Sequence, residues 1–218
     1  PNCRIEIAII EAAPTILSGF SPGIVRRAEC RLRRLGIGIL TGVAIRGVNA
    51  TDVELADGQR RPYDLLVWSG GVTPARAIKN FGLPLDRRGG VVVNDFLEAR
   101  PGIYAIGDNA SFINRKTGQP LPGNVPVAEA EARLAAKNII AAITGGAKRP
   151  FRPLVRYPFI LAVGGKYALA DLVVLRFSGF LGWIMKQLVE LRYLIAILPW
   201  RKAMAMWLRA VYYGAAND

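Results

Sequence analysis

Residues 103–110, IYAIGDNA, decide how the rest of the chain is read. Ile103 to Ile106 predict a short buried strand. Gly107 stops it, and Asp108 offers one carboxylate at its carboxyl end. In doubly wound α/β folds, ligands bind at that end of the strands. The stretch GNVPVAEAEARLAAKNII (123–140) follows and predicts a helix, with its regular part over 127–143, whose amino terminus faces the same crevice. Unpaired N–H groups at a helix start attract anionic or electron-rich ligand atoms. Strand, acid, loop and helix in this order point to a cofactor site. A lone Asp after a strand more often serves as a turn or cap residue, so the motif alone leaves both roles open.

Upstream, RIEIAIIE (4–11) is a β-rich apolar run ending in Glu11. PGIVRRAECRLRRL (22–35) predicts an amphipathic helix with Ile24, Ala28, Leu32 and Leu35 on one face and arginines on the other. GIGILTG (36–42) reads as the next strand. VAIRGVNA (43–50), DVELADG (52–58) and YDLLVWSGG (63–71) predict three short strands, the last one buried, with a turn at Asp57-Gly58. This order is that of the second half of a dinucleotide-binding domain. Such a domain also needs a first strand and a glycine-rich phosphate-binding turn. No GxGxxG occurs in the sequence, which opens on Pro1. We therefore expect a fragment of a longer protein.

A second unit is expected over 73–148. It has a loop-rich opening (Pro74, Gly82, Pro84), then VVVNDFLE (91–98), the IYAIGD run, a hairpin-like loop SFINRKTGQPLPG (111–123) and the alanine-rich helix. A third is expected over 149–218, starting with a pair of strands around Gly164-Gly165. Residues 1–72 form the first.

Hydrophobic residues make up 52 % of the 218 and the formal charge is +13. That charge favours a polyanionic partner, either nucleic acid or an anionic membrane surface. Arg26, Arg27, Arg31, Arg33 and Arg34 are able to meet phosphates. Such a run is more often a solvated helix face, and no nucleic-acid-binding signature accompanies it; no nucleic acid partner is expected. The absence of histidine excludes a His-based triad and His metal sites. Cys3 and Cys30 are too far apart for a CxxC pair and are expected as core filler in a reducing compartment. No metal site is expected.

Residues 177–198 approach the twenty or so apolar residues of a membrane span. Lys186, Glu190 and Arg192 lie mid-segment, and each would cost roughly 2.5–3.5 kcal/mol at the bilayer centre. Lys186 and Glu190 share one face, with Phe180, Trp183, Ile184, Leu188, Leu191 and Ile195 mostly on the other. Beyond Pro199 come Trp200, Arg201, Lys202, Trp207 and Arg209. Cations among Trp and Tyr are typical of helices lying in the headgroup plane. Residues 151–218 carry nine Lys and Arg against three Asp and Glu. An interfacial pair of helices is expected, the other outcome being packing on the protein body or in a homodimer interface.

In order, IEIAIIEA, RRLGIGILTG, LADGQRRPYDLLVWSGGVTP, RGGVVVNDFLEARPGIYAIGDNA, PGNVPVAEAEARLAAKNI and a Trp-rich basic tail resemble type II NADH dehydrogenases. The similarity covers nearly the whole chain and corresponds to the carboxy-terminal half of such an enzyme. It implies an α/β, Rossmann-like flavoprotein fold with two dinucleotide-binding domains, here partial, followed by an amphipathic helical membrane-binding segment. It further implies an FAD-dependent oxidoreductase that passes electrons from NADH to a membrane quinone. That enzyme would be peripheral on the cytoplasmic face of the inner (plasma) membrane, and the fragment would be inactive alone.

The resemblance assigns roles residue by residue. Glu11 would accept hydrogen bonds from the adenosine ribose, and its charge would repel a 2′-phosphate. Gly70, Gly71 and Val72 would let backbone approach nicotinamide or flavin. Gly107 and Asp108 would hold FAD, while Val125, Pro126 and Val127 would turn helix N–H groups toward the flavin. The family shows Ala-Gln at this helix start and Gln-Gln-Gly one turn later; this chain has Val125-Pro126 and Ala130-Glu131-Ala132. Pro126, Ala130, Glu131 and Lys166 are the quinone-side candidates, with Glu131 either a substitute polar group or a surface residue and Lys166 a surface lysine by default. The alternatives are a related pyridine-nucleotide reductase with another acceptor, or a non-catalytic membrane-associated fragment.

Overall fold

In the computed structural model, residues 5–216 are described; Cys3 lies outside them. Strand β1 (Ile7–Glu11) runs parallel to β2 (Ile37–Thr41), with Ile7 opposite Ile37 and Glu11 opposite Thr41. Between them lies α1 (Pro22–Arg34), which starts on a proline pre-set for the first turn and ends on Arg31, Arg33 and Arg34. Cations there complement the helix dipole. The apolar stripe differs from the expected one: Ile24, Val25 and Ala28 are buried, whereas Leu35 caps the helix and is exposed. Cys30 is exposed rather than core filler. It lies two residues past Ala28, about 200° around the helix, and so faces away from the buried stripe.

Strands β3 (Ile45–Val48), β4 (Asp52–Leu55) and β5 (Arg60–Pro62) form an antiparallel ribbon. The Asp57-Gly58 turn joins β4 to β5, and Asp57 accepts the Gln59 N–H at 2.9 Å. The buried strand expected over 63–71 is absent. Leu65 and Val67 are 82 % and 77 % exposed, and Trp68 is exposed as well. A buried parallel strand needs neighbours on both edges, and among the described residues no strand runs beside this segment.

In the next segment β6 (Val91–Val92) pairs in parallel with β9 (Ala110–Ser111), and β7 (Glu98–Arg100) pairs antiparallel with β8 (Ile103–Tyr104). The IYAIG run is thus not one buried strand. Its ladder ends at Tyr104, Ile103 is exposed, and Gly107–Asn109 form a 3-10 turn. The expected hairpin is present as β10 (Ile113–Asn114) and β11 (Gln119–Pro120). Helix α2 (Val125–Thr144) then packs on Leu97, Phe112 and Phe151. Buried Asn138 pins α2 by donating to Phe96 O at 3.1 Å and Arg149 O at 2.9 Å, and by accepting the Arg149 N–H at 2.8 Å.

The last segment holds three strands, one more than expected: β12 (Phe159–Ala162), β13 (Ala168–Asp171) and β14 (Arg176–Gly179), an antiparallel meander. Every residue of β13 is buried. Helix α3 (Phe180–Ile197) lies so close to it that a Cβ on Gly182 would stand 2.3 Å from Ala168 O. Helix α4 (Trp200–Ala216) folds back on α3, with buried Ala203 and a Trp207 Nε1–H bond to Gln187 O at 2.8 Å. Trp207 thereby joins the two helices and is half-buried. Among the described residues no helix is long and apolar enough to cross a membrane.

Two compact units result, one of residues 1–67 with 158–218 and one of 68–157. The tail is not a third body. Val163 and Leu169 complete the core beneath Ile24, Val25 and Ala28. Arg31 fastens that junction by donating to Val163 O and Gly164 O at 3.4 and 3.2 Å while lying over the Tyr167 ring. It is therefore not simply part of a solvated arginine face.

Candidate functional site

The unit of residues 68–157 brings the Asp108 turn and the start of α2 together. Asn124 has extended backbone and its side chain accepts the Val127 N–H at 3.0 Å, a standard cap. Proline at the second helical position has no N–H to leave unpaired. The first turn stays open, with Val125 and Pro126 exposed, while Val127 is buried and anchors it.

Gly107, at φ +60°, turns the chain against this helix. A Cβ placed on it would touch Ala128 Cβ at 3.5 Å. Asp108 Oδ1 stands 2.6 Å from where a Cβ on Gly123 would be, so the carboxylate lies against the residue preceding the cap. Asn109 Oδ1 accepts the Ala75 N–H at 3.1 Å, tying the turn to the loop after Trp68. Gly107, Asp108, Val125, Pro126 and Val127 are thus neighbours.

Glu131 is neither a surface residue nor open to a substrate. It is 2 % exposed, and its Oε2 accepts the Gly107 N–H at 2.7 Å. Burial pushes its carboxyl above the ordinary glutamate value; the Gly107 N–H opposes that shift, and the Asp108 charge adds to it. Ala130 packs toward the Leu97–Phe112 cluster, which leaves Pro126 as the exposed member of the α2 trio once assigned to the quinone side. The Asn-x-Pro signal at 124–126 was available in the sequence to mark the cap. The Glu131 tether was not, because its partner is a backbone N–H.

Gly70, Gly71 and Val72 are exposed, and the Trp68 indole lies 3.0 Å from where a Gly70 Cβ would be. Glu11, at the end of β1 in the other unit, is half-buried and accepts the Ala13 N–H through Oε1 at 2.8 Å. Lys166, also in that unit, sits in the link between β12 and β13 and is half-buried. Among the described residues no group of side chains is able to hold a metal ion.

The family model for pyridine nucleotide-disulphide oxidoreductases matches residues 2–132. The chain belongs to that family. Over 98 % of its length it is 27 % identical to a probable NADH dehydrogenase of Dictyostelium discoideum, and covers 47 % of that protein. Over 89 % it is 28 % identical to the type II NADH:quinone oxidoreductase Ndh of Mycobacterium tuberculosis, covering 43 % of it. The structure of NDH2 from Plasmodium falciparum in complex with NADH superimposes with a TM-score of 0.77 at 15 % identity, over 98 % of this chain and 59 % of that one. This last likeness establishes the fold. The similarity to proteins named as NADH dehydrogenases, which the ordered motifs implied, thus extends over nearly the whole chain. The chain spans about half the length of the curated relatives it matches.

Proposed function

We propose that this chain is the carboxy-terminal part of an FAD-dependent oxidoreductase that passes electrons from NADH to a membrane quinone. The observation that carries the proposal is the apposition of Asp108 and the Asn124-capped start of α2. Those two elements are the ones that the resemblance associates with flavin. The residues fit such a group. Glycine at 123 keeps a side chain out of the space beside the Asp108 carboxylate. In the open first turn of α2, where Pro126 lacks an N–H and Asn124 accepts that of Val127, the Val125 N–H is left for an electron-rich ring edge.

The redox chemistry, two electrons taken from NADH and passed to a quinone, is supplied by FAD when bound. The chain's own residues orient and exclude. In this reading Asp108 holds polar ribityl or pyrophosphate-side groups, and the first turn of α2 favours negative charge on the ring. Glu11 discriminates against a 2′-phosphate by charge, and Gly70, Gly71 and Val72 admit the backbone close to the nicotinamide. No acid–base dyad is required.

The membrane part of the proposal rests on α3 and α4. Phe180, Leu188, Ile195 and Trp200 are exposed on them alongside Arg201, Lys202 and Arg209, while Trp183 and Lys186 are half-buried. Such a surface suits a peripheral location on the cytoplasmic face of the inner membrane, with a homodimer as the other use of the same apolar side chains. A second reading, a related reductase with another electron acceptor, is favoured by Glu131 being turned onto Gly107 and Ala130 onto the core. These two positions then leave nothing for a quinone headgroup.

The test is spectroscopic. Protein purified from the whole open reading frame should be yellow, with the two visible absorbance bands of flavin, and should oxidise NADH when a short-chain quinone is added. Colourless protein overturns the oxidoreductase reading. Yellow protein that reduces ferricyanide but no quinone selects the second one.

A further inference from the structure

Glu131 presents a problem that the proposed function does not use. Its carboxyl group is buried, and among the described residues it accepts one N–H, that of Gly107. The other titratable groups that bear on it are Asp108, from the 3-10 turn, and Tyr157, from the loop after α2; neither supplies a cation. An ionised carboxylate without a cation is costly in such a place. A glutamine would accept the same N–H without that cost. What the carboxyl group adds is a proton that comes on and off.

We propose that Glu131 is a positioning residue that holds the Gly107–Asp108 turn on α2, and that its proton makes this hold depend on pH. While protonated, the carboxyl accepts the Gly107 N–H through its carbonyl oxygen and carries no charge into the core. When the proton leaves, the oxygen becomes a better acceptor, yet the charge faces both burial and Asp108. Burial is the largest influence on this group, so the proton is retained to higher pH than in a free glutamate. Above that point the charge draws in water, and the turn loosens from the helix. The consequence for the cofactor rests on the reading of Asp108 given above. An anionic pyrophosphate near Asp108 would raise the proton affinity of Glu131 further, so cofactor binding would take up a proton and weaken as pH rises.

The experiment follows the Gly107 amide by NMR in the 15N-labelled chain, in its native form and as Glu131→Gln and Glu131→Ala. In the native chain the Gly107 amide shift should show a titration step above the ordinary glutamate range. Its hydrogen-exchange protection should fall at least tenfold through that step. Glu131→Gln should keep the protection and abolish the step, whereas Glu131→Ala should lose the protection at every pH. A Gly107 amide with no step, or a step that survives in Glu131→Gln, overturns the proposal. If Glu131→Ala does not fold, the native chain against Glu131→Gln decides alone. Flavin retention by the whole open reading frame, measured across the same pH range, separates the two readings. A pH slope that disappears in Glu131→Gln supports both. Loss of flavin from every form, with the Gly107 step intact, removes the cofactor reading and leaves the tether supported.

Discussion

A methyl group on Gly123 would fall 2.6 Å from Asp108 Oδ1, and the atom it meets is the end of a side chain that is able to rotate away. Gly123→Ala should therefore leave unfolding free energy within about 0.5 kcal/mol of the native value. It should at the same time swing Asp108 out of place and lower flavin retention. Equal losses of stability and flavin would show that the contact is merely structural. Glu98 tests the opposite electrostatic case from Glu131. Its two oxygens accept from Lys148 Nζ at 2.8 and 2.9 Å, and this pairing, the largest cause, holds its carboxyl below the ordinary range. The unfolded chain then binds the extra proton between the two values. The resulting stabilisation is complete above the unfolded value and is lost as pH falls through the folded one. Thermal midpoints of native protein and Glu98→Gln should differ at pH 7 and converge toward pH 3. Glu131 runs the other way: folded protein holds the proton longer, so its contribution declines as pH rises from the ordinary value to the raised one.

Elements whose partners are close in sequence were legible from the residues alone. The Pro22 start of α1, the Asp57-Gly58 turn and the β10–β11 hairpin all rest on local backbone chemistry, and all stand where the pattern puts them. What failed depended on distant neighbours. Leu65 and Val67 have the composition of a buried strand but no strand beside them among the described residues. β14 was missed because Arg176, Phe177, Ser178 and Gly179 make no apolar run, and the strand forms through its pairing with β13, Ala168 opposite Gly179. At the candidate site Asp108 and the helix start were readable from their order, whereas Gly123 and Glu131 took on roles only once the turn was seated on α2. The α3–β13 contact carries its own prediction. Gly182→Ala would press a methyl group to 2.3 Å from a backbone carbonyl that has no rotamer to change. It should cost about 1–3 kcal/mol of stability in urea unfolding, and a neutral result would mean that α3 shifts away from β13 without loss of packing.

For the whole molecule, the proposed membrane surface calls for a test that spares the fold. Deleting α3 and α4 would uncover β13, so charge substitution is the cleaner choice. Arg201, Lys202 and Arg209 are exposed on α4, and each basic residue near an anionic surface contributes about 1 kcal/mol. The triple change to glutamine should lower partitioning onto phosphatidylserine vesicles on the order of a hundredfold and leave binding to neutral vesicles unchanged. Undiminished sedimentation with anionic vesicles would remove these three cations from the membrane contact, and a native protein that does not sediment with them would assign the aromatic residues of these helices to a protein partner instead.

Val163 and Leu169 fill the core beneath α1, although the whole of residues 68–157 separates them from it along the chain. A ribosome delivers the polypeptide from its amino end. Residues 68–157 are continuous along the chain, so their contacts with one another can form once residue 157 has emerged. Helix α1 must wait unroofed until the meander of β12, β13 and β14 arrives. During that interval Ile24, Val25 and Ala28 are open to solvent, which makes the nascent α1 region a point where a chaperone is needed.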